Sequence, residues 1–309
     1  MNNPDLRVSI GEIHMKNPVM TASGTYGYGE AYSDFYDVNL LGAMVVKGIT
    51  PEPRKGNPPP RIAETPAGIL NAIGLQNPGV EKFILDEVPR LMKLQVPVIV
   101  NMSANTIEGY QRLARRLDEV EGLSGLEVNI SCPNVKQGGQ AFGTDPKTAH
   151  EVVSKVRKET KRPIIAKLTP NVTNIASIAV SVEDAGADAV SLINTLLGMA
   201  IDIKSKRPLL GNVVGGLSGP AVKPVAVRMV WETAQVVNIP VIGMGGITSW
   251  QDAVEFMIAG ASAVAIGTGN FTNPVAAVDI IDGICAYMKE NNMEKTTDLV
   301  GKVSIETIE

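Results

Sequence analysis

The sequence predicts an α/β fold, a (β/α)8 TIM barrel, on three observations. Short runs rich in β-branched residues alternate along the chain with longer segments of helical period, which is the pattern of parallel strands joined by helices. There are eight such runs, and eight is the number that closes a barrel. The alternative is an open doubly wound sheet, but no G-x-G-x-x-G follows the first strand to support a dinucleotide-binding fold.

The predicted strands are short apolar runs. In chain order they cover residues 18–23, 42–48, 96–103, 125–131, 162–168, 187–194, 239–246 and 262–269. Helices are predicted between and after them, because apolar residues recur there three or four positions apart. These helical segments cover residues 81–94, 106–120, 146–160, 174–186, 224–237, 249–260 and 277–290.

Three further segments fall outside the minimal repeat. Residues 6–19 alternate around a glycine and are predicted to form an N-terminal hairpin that caps the bottom of the barrel. Residues 49–80 and 196–220 form long excursions after the second and sixth strands. Long loops in a compact domain are usually functional, and those that follow barrel strands lie on the catalytic face. We therefore expect a single domain over residues 1–309, with both βα loop insertions over the active site.

Composition and charge are those of an ordinary globular protein. Hydrophobic residues make up 44% of the chain and charged residues 19%, and 28 basic against 32 acidic residues give a net charge of −4. No run of Lys or Arg is longer than a pair, which argues against nucleic acid or an anionic membrane as a partner. No apolar stretch reaches membrane-spanning length and the N-terminus lacks a signal-peptide pattern, so we expect a cytoplasmic protein.

Polar side chains stand at the ends of the first six predicted strands. Because the carboxyl ends of barrel strands converge on one mouth, they predict a hydrogen-bonding pocket there. The six residues are Ser23, Lys47, Asn101, Asn129, Lys167 and Asn194. Lysine is rarely buried without a partner, so the two lysines indicate a negative charge or an electron-rich ring in the pocket; a solvated position on the rim is the alternative. The asparagines can both donate to and accept from the amide-like edges of a heterocycle.

The last two predicted strands end in glycine-rich loops. Their sequences are GMGGI at residues 243–247 and AIGTG at residues 265–269, and each runs into a helical segment. Glycine lets backbone N–H groups approach an anion, so the two loops predict the phosphate site common in such barrels. The alternative is that these glycines serve only tight turns.

The two cysteines, Cys132 and Cys285, are predicted to be free thiols, since they are too few for a disulfide framework and lack metal-ligand spacing. No metal site is expected. The two histidines, His14 and His150, are predicted to lie far from the strand ends, which leaves Cys132 as the candidate for a proton-abstracting base. Pro133 holds Cys132 out of the α region, at the start of an extended loop. The alternative role is a small buried hydrophobe, which we expect for Cys285.

Taken together, these motifs resemble the dihydroorotate dehydrogenases, the flavin enzymes of pyrimidine biosynthesis. The matching motifs run in order through nearly the whole chain: TASGTYG, KGIT followed by GNPPPRI, NAIGLQNPG, NISCPN, AKLTPN, INT, GGLSGP, GMGGI and AIGTG. The cysteine at position 132 is similar to the class 1 enzymes, whereas class 2 enzymes have serine there and an N-terminal membrane-binding extension. The continuation NVKQGGQAFGTDP resembles subclass 1B, whose members depend on NAD⁺.

The resemblance implies an FMN in the barrel mouth, with Lys167 near the N1/O2 edge, where a cation favours the reduced anionic flavin. The implied cofactor residues are Ser23, Lys47, Gly48, Asn101, Asn129, Lys167, Ile193, Gly219, Gly245, Gly246, Gly267 and Thr268. The implied substrate residues are Lys47, Asn71, Ala72, Ile73, Gly74, Leu75, Asn129, Asn134, Asn194 and Thr195.

The resemblance also implies a reaction and a partner. Cys132 would remove a proton from C5 of (S)-dihydroorotate while a hydride leaves C6 for the flavin, giving orotate. Electrons would then pass to a partner subunit carrying FAD and a 2Fe–2S cluster, with NAD⁺ as final acceptor, in a heterotetramer of two catalytic and two electron-transfer chains. Two alternatives stay open at this point: a class 1A-like homodimer that uses fumarate, and a phosphate-binding barrel lyase or isomerase without flavin.

Overall fold

The computed structural model describes residues 3–131 and 141–305, and its centre is an eight-stranded parallel sheet. Strand order around the sheet is β3-β16-β15-β10-β9-β8-β7-β4. These strands are β3 Val19–Thr21, β4 Met44–Ile49, β7 Val98–Met102, β8 Gly125–Asn129, β9 Ile164–Lys167, β10 Ala189–Leu192, β15 Val241–Met244 and β16 Ala263–Ile266. The two edges meet where Met20 bridges Ala43 and the Val45 N–H donates to the Thr21 hydroxyl, at 2.9 Å. The predicted barrel is confirmed, and each of its strands lies at a predicted run.

Helices cover the outside of the barrel. They are α1 Val80–Asp86, α2 Val88–Leu91, α3 Ile107–Asp118, α4 Pro146–Arg157, α5 Ile175–Asp184, α6 Lys223–Ala234, α7 Trp250–Ile258, α8 Gly269–Thr272 and α9 Ala276–Glu290. The single helix predicted over residues 81–94 is wrong, because the chain forms α1 and α2 with a break at Glu87. Pro89 explains the break, since proline has no N–H and its ring collides with the carbonyl four residues earlier.

Side-chain caps fix where the helices after barrel strands begin. Thr106 caps α3, Asp145 caps α4, Asn174 caps α5 and Ser249 caps α7, each accepting a backbone N–H of the first turn. Such a cap satisfies an otherwise unpaired donor and stabilises a helix by about 1 kcal/mol. Consequently the loops that join strand to helix leave the barrel at defined points around its mouth.

The N-terminal hairpin closes the opposite end. β1 Val8–Ile10 and β2 Ile13–Met15 pair antiparallel around Gly11, which has a φ of +57°. Their buried side chains pack on the lowest inward-facing residues of the barrel strands. This confirms the predicted cap at the bottom and leaves the carboxyl ends of the strands as the only mouth that the described residues form.

The two long excursions join into one small sheet above the mouth. Its strand order is β11-β14-β6-β5, and all its pairs are antiparallel. The strands are β5 Ile62–Thr65, β6 Gly68–Asn71, β11 Leu196–Gly198 and β14 Gly215–Ser218, while β12 Ile201–Asp202 and β13 Arg207–Pro208 form a separate hairpin. The sequence predicted two long excursions over the site but not their contact, and pairing of β6 with β14 joins them in a single layer.

Candidate active site

On four neighbouring strands, the residues that face the inside of the barrel change from apolar to polar between one inward position and the next, two residues later. Ile99, Gly125, Ile165 and Ala189 occupy the lower layer. Side chains two positions apart share a face of a strand, so the next inward layer is Asn101, Glu127, Lys167 and Ser191. All four are buried, with at most 5% of each exposed. A polar layer of this kind is costly unless every group in it has a partner.

Glu127 provides the partners for this layer. One carboxylate oxygen accepts from the Ser191 hydroxyl at 2.8 Å. The other accepts from the Asn101 amide at 2.6 Å and lies 3.5 Å from the Lys167 ammonium. Lys167 also donates to the Ser23 hydroxyl at 3.2 Å. The structure therefore brings three predicted site residues together, Ser23, Asn101 and Lys167, around a carboxylate.

Sequence reasoning missed Glu127 and Ser191. The signal was present for Glu127, because a carboxylate in the middle of the apolar run GLEVNIS needs a buried cation or several donors. It also stands two residues before Asn129, so both face into the barrel. Ser191 carried no such signal, because a serine within a strand is common and only the barrel places it against Glu127.

A second polar cluster lies at the ends of β8 and β10. The Asn194 amide donates to the Asn129 side-chain oxygen at 3.3 Å and to the Ser131 hydroxyl at 3.1 Å. The Asn129 main-chain carbonyl accepts from the Tyr110 hydroxyl of α3 at 2.6 Å. The structure thus joins the predicted residues Asn129 and Asn194 and holds the end of β8 from behind.

The predicted base and one predicted substrate contact follow this cluster. Cys132 and Asn134 lie outside the described residues, so their roles stay predictions. The chain on both sides is well held. The Gly143 N–H donates to the Ile130 carbonyl at 2.7 Å, and the buried Phe142 ring packs edge-on against Tyr110, 5.6 Å between centroids. Residues 130–131 and 141–143 are therefore anchored side by side at the mouth.

The glycine loops also converge. Gly245 and Gly246 have φ values of +126° and +82°, and Gly219 has +98°, conformations that favour glycine. A Cβ on Gly245 would lie 3.0 Å from Ile193, and one on Gly246 only 2.8 Å from the Gly219 carbonyl oxygen. Contacts this close bring three loops together, after β10, β14 and β15.

The loop after β16 completes this region. The Thr268 hydroxyl donates to the Ser218 hydroxyl at 2.8 Å, and Gly267 packs near Ala22. Among the described residues, neither the Gly246 nor the Thr268 N–H donates a hydrogen bond outside the regular helices and strands. The region can therefore present backbone N–H groups to an anion, as the sequence predicted, and Ser218 is an additional hydroxyl that it did not predict.

Lys47 stands apart from the other strand-end groups. Its ammonium group has no hydrogen bond or ion pair with any of the described residues, and burial lowers the pKa of that group below the usual range. The neighbouring Gly48 lies against Asn101, because a Cβ there would sit 2.7 Å from the Asn101 side-chain oxygen. A partly buried cation without a partner is suited to binding an anion.

The segment 71–75 of the first excursion reaches Gly48, the residue after this lysine. The Leu75 side chain would lie 4.0 Å from a Cβ placed on Gly48. Asn71 donates to the Gly216 carbonyl at 3.2 Å, and Thr195 packs against the same glycine. The paired sheet therefore brings the predicted substrate residues of two distant segments to the mouth. Ala72, Ile73 and Gly74 lie between these anchors.

Other reactive side chains lie elsewhere. The His14 ring and the Ser9 hydroxyl form a hydrogen bond of 3.0 Å in the bottom hairpin, and His150 is exposed on α4. Cys285 on α9 is a free thiol that is only partly buried, so its predicted core position is wrong. Within residues 3–131 and 141–305, no cluster of three or more His, Cys, Asp or Glu side chains could hold a metal, and no helix is long and apolar enough to cross a membrane.

Comparisons with known proteins identify the family of this chain. The family model described as dihydroorotate dehydrogenase matches residues 5–288. A protein of Desulforamulus reducens is 59% identical over 297 residues, 96% of this chain and 98% of its own, and one of Geotalea uraniireducens is 56% identical over 301 residues, 97% and 99%. A Bacteroides thetaiotaomicron protein is 55% identical over 301 residues, again 97% and 99%. Each relative is named dihydroorotate dehydrogenase B (NAD(+)), catalytic subunit. With a match of this length and identity over a barrel of this architecture, the chain belongs to the dihydroorotate dehydrogenase family.

Proposed function

We propose that this chain is the catalytic subunit of an NAD⁺-dependent dihydroorotate dehydrogenase, which oxidises (S)-dihydroorotate to orotate in pyrimidine biosynthesis. The observation that carries the proposal is the buried polar layer at the barrel mouth, in which Lys167 is held by Glu127 and Ser23. A simple structural barrel would fill this layer with apolar side chains. The relatives carry the same activity in their names.

The residues present fit an FMN. The isoalloxazine ring has a polar pyrimidine edge, and the mouth offers it an ammonium, two amides and a hydroxyl from Lys167, Asn101, Asn129 and Ser23. The phosphate carries a double negative charge, and the glycine loops around Gly246 and Thr268 offer backbone N–H groups to it. The two sets lie on the same end of one barrel, as one flavin requires.

We therefore assign the cofactor residues by region. Ser23, Lys47, Gly48, Asn101, Asn129, Lys167, Ile193 and Gly219 would lie around the flavin, and Gly245, Gly246, Gly267 and Thr268 would hold its phosphate. When bound, FMN supplies a two-electron acceptor that can take a hydride. The chain itself contributes the orientation of that group and the charge around it.

The substrate residues perform binding and proton transfer. Asn129 and Asn194 would align the amide edges of the pyrimidine, with Asn134 as a further contact, and Lys47 would neutralise the carboxylate. Asn71, Ala72, Ile73, Gly74, Leu75 and Thr195 would cover the substrate from the paired excursions. Cys132 would take the proton from C5, which a thiolate can do when it is placed within reach.

The lowered pKa of Lys47 predicts a pH dependence of substrate binding. A lysine side chain carries its positive charge below its pKa. Because the pKa of Lys47 is lowered, its charge is lost at a lower pH than that of an ordinary lysine. The carboxylate of the substrate stays ionised throughout. We expect KM for dihydroorotate to rise with pH through this range, while kcat rises as the Cys132 thiol loses its proton.

Steady-state kinetics from about pH 7 to pH 10, a range that brackets the reference pKa of a thiol, would separate the two trends. The matched variant is Lys47→Arg, which stays charged throughout and should show a KM that no longer changes with pH. If KM of the unmodified enzyme were flat to the top of the range, Lys47 would not be the group that neutralises the carboxylate.

Replacement of Gly246 by Ala should weaken FMN binding at least tenfold. The new Cβ would meet the Gly219 carbonyl oxygen and Lys223 Cβ at 2.8 Å each, at a φ that costs a non-glycine residue about 1–3 kcal/mol. Relief of that contact must separate two loops that are both assigned to the cofactor. Titration of the apoprotein with FMN, followed by flavin fluorescence, measures the loss.

A control variant separates the effect of backbone strain in general from an effect on the FMN site. Gly260 follows α7 at a φ of +122°, and a Cβ there would lie 2.4 Å from Ala234, far from the mouth. Gly260→Ala should therefore lose stability and keep its affinity for FMN. Equal FMN affinity in Gly246→Ala and the unmodified chain would contradict the assignment of Gly246.

We further propose a partner subunit, since the relatives are named as catalytic subunits. The partner would carry FAD and a 2Fe–2S cluster, deliver electrons to NAD⁺, and assemble as two catalytic and two electron-transfer chains. In keeping with this division, the chain has only two cysteines, fewer than the four ligands that a cluster needs. The single domain over residues 1–309 and the cytoplasmic location stay predictions from the sequence.

One experiment tests cofactor, substrate and acceptor together. The purified protein should absorb at about 450 nm, as bound flavin does. This absorbance should bleach when dihydroorotate is added, because the flavin is the group that accepts the hydride. NAD⁺ reduction should appear only when the electron-transfer subunit is added. A colourless protein would refute the flavin assignment, and turnover of the isolated chain with fumarate would assign it to the homodimeric, fumarate-using type instead.

A further inference from the structure

We propose that Glu127 is a positioning residue for Lys167 and that it also offsets the lysine charge, so that the bound flavin is held at a lower midpoint potential than the lysine alone would set. The inference rests on the proposed FMN site. In that site Glu127 contacts neither substrate nor cofactor and acts through Lys167.

The geometry shows how Glu127 is itself fixed. It is 1% exposed and lies in the middle of β8, and both its oxygens accept hydrogen bonds, as a carboxylate does. Asn101 on β7 holds one oxygen and Ser191 on β10 holds the other. Three barrel strands therefore determine where the negative charge lies, and it cannot turn away from the mouth without leaving a donor unpaired.

The position of Lys167 follows from that of Glu127. Its ammonium lies 3.5 Å from the carboxylate on one side and donates to Ser23 at 3.2 Å on the other. Since it is only 5% exposed, water does little to screen the pair. A group bound in the mouth consequently meets a nearly neutral ion pair, with the positive end nearer to Ser23, rather than a full positive charge.

This charge balance has a direct redox consequence. A cation beside the flavin stabilises the extra negative charge of the reduced ring and raises its midpoint potential, whereas a nearby anion has the opposite effect. Glu127 therefore makes the reduced flavin a better reductant than it would be beside an uncompensated lysine. Such a setting suits a site that must pass its two electrons onward to an acceptor of low potential.

The test measures the midpoint potential of the bound flavin in four proteins, by equilibration with reference dyes. Glu127→Gln removes the negative charge and keeps the size of the side chain, so its potential should lie above that of the unmodified enzyme. Lys167→Met should lie below it. The double variant Glu127→Gln/Lys167→Met, neutral like the original pair, should lie between these two and close to the unmodified enzyme.

A matched control removes a carboxylate from the other end of the barrel. Asp188 accepts from Arg157 at 2.9 Å and from the Ile164 N–H at 2.7 Å, below the apolar layer. Asp188→Asn loses an ion pair and a charge in the same way, and its flavin potential should not change. This control distinguishes an effect of local charge from a general loosening of the barrel, which weakens FMN binding without raising the potential.

The outcomes are decisive in either direction. A potential of Glu127→Gln equal to or below that of the unmodified enzyme would overturn the proposal. If Glu127→Gln proved too unstable to hold FMN, the comparison of Lys167→Met with the double variant still isolates the carboxylate, and equal potentials in these two would overturn it. An unmodified chain that binds no FMN would instead refute the proposed function.

Discussion

Replacement of Cys132 by Ala is expected to leave FMN bound and to slow its reduction by dihydroorotate by about 10²–10⁴-fold, the usual contribution of a positioned general base. The reason is that His14 lies in the bottom hairpin and His150 is exposed on α4, which leaves Cys132 as the proposed base for the C5 proton. Rapid mixing of oxidised enzyme with dihydroorotate, followed by flavin absorbance, measures the rate of this step alone.

The chain offers a matched control for this variant. Cys285 is the other cysteine, partly buried on α9 at the outside of the barrel, and Cys285→Ala makes the same chemical change away from the mouth. Its flavin reduction rate should equal that of the unmodified enzyme. Near-normal reduction in Cys132→Ala would show that the proton leaves C5 by another route, and the thiol would then be only a packing residue.

Replacement of Glu127 by Ala is expected to lower the free energy of unfolding of the FMN-free protein by about 3–5 kcal/mol, the cost of leaving one member of a buried ion pair without its partner. Lys167 would keep only the Ser23 hydroxyl, and the Asn101 amide and Ser191 hydroxyl would each lose an acceptor. Denaturant unfolding monitored by circular dichroism measures the change.

The double variant Glu127→Gln/Lys167→Met serves as the control. It removes both charges together, and replacing a whole buried pair by neutral groups is often close to neutral for stability. We therefore expect it to be more stable than Glu127→Ala. The single variants Glu127→Gln and Lys167→Met complete the cycle, and their coupling energy should show that the two side chains act as a unit. A loss below about 1 kcal/mol in Glu127→Ala, the scale of a single ordinary hydrogen bond, would mean that the pair contributes little.

Much of the fold could be predicted because its signals are local. The eight apolar runs, the helical period between them and the glycine-rich loops GMGGI and AIGTG all lie within short windows of sequence. The polar strand ends followed from the same pattern, since all strand ends in a parallel barrel point the same way. The sequence pattern alone therefore indicates Ser23, Asn101 and Lys167 as site residues.

The break between α1 and α2 had a local signal too. Pro89 stands inside the predicted helix, and its effect on the preceding turn is general. The partial exposure of Cys285 did not follow from the sequence. Apolar spacing on α9 shows which face of the helix turns inward, but not how far the edge of that face is covered. Cys132 was singled out by elimination and by Pro133, and its role remains a prediction.

The sequence by itself determined the barrel, the polarity of its mouth and the family, because those depend on residue order and period. Only the tertiary structure decided which groups meet. Asn71 and Gly216 are 145 residues apart and pair in one sheet, and Ser191 reaches Glu127 across 64 residues. Such contacts depend on the register of strands around a closed barrel, and a one-residue shift would turn every inward side chain outward. The register of β8 against β9 therefore set Glu127 as one partner of Lys167, and the barrel brought the other, Ser23, from the end of β3.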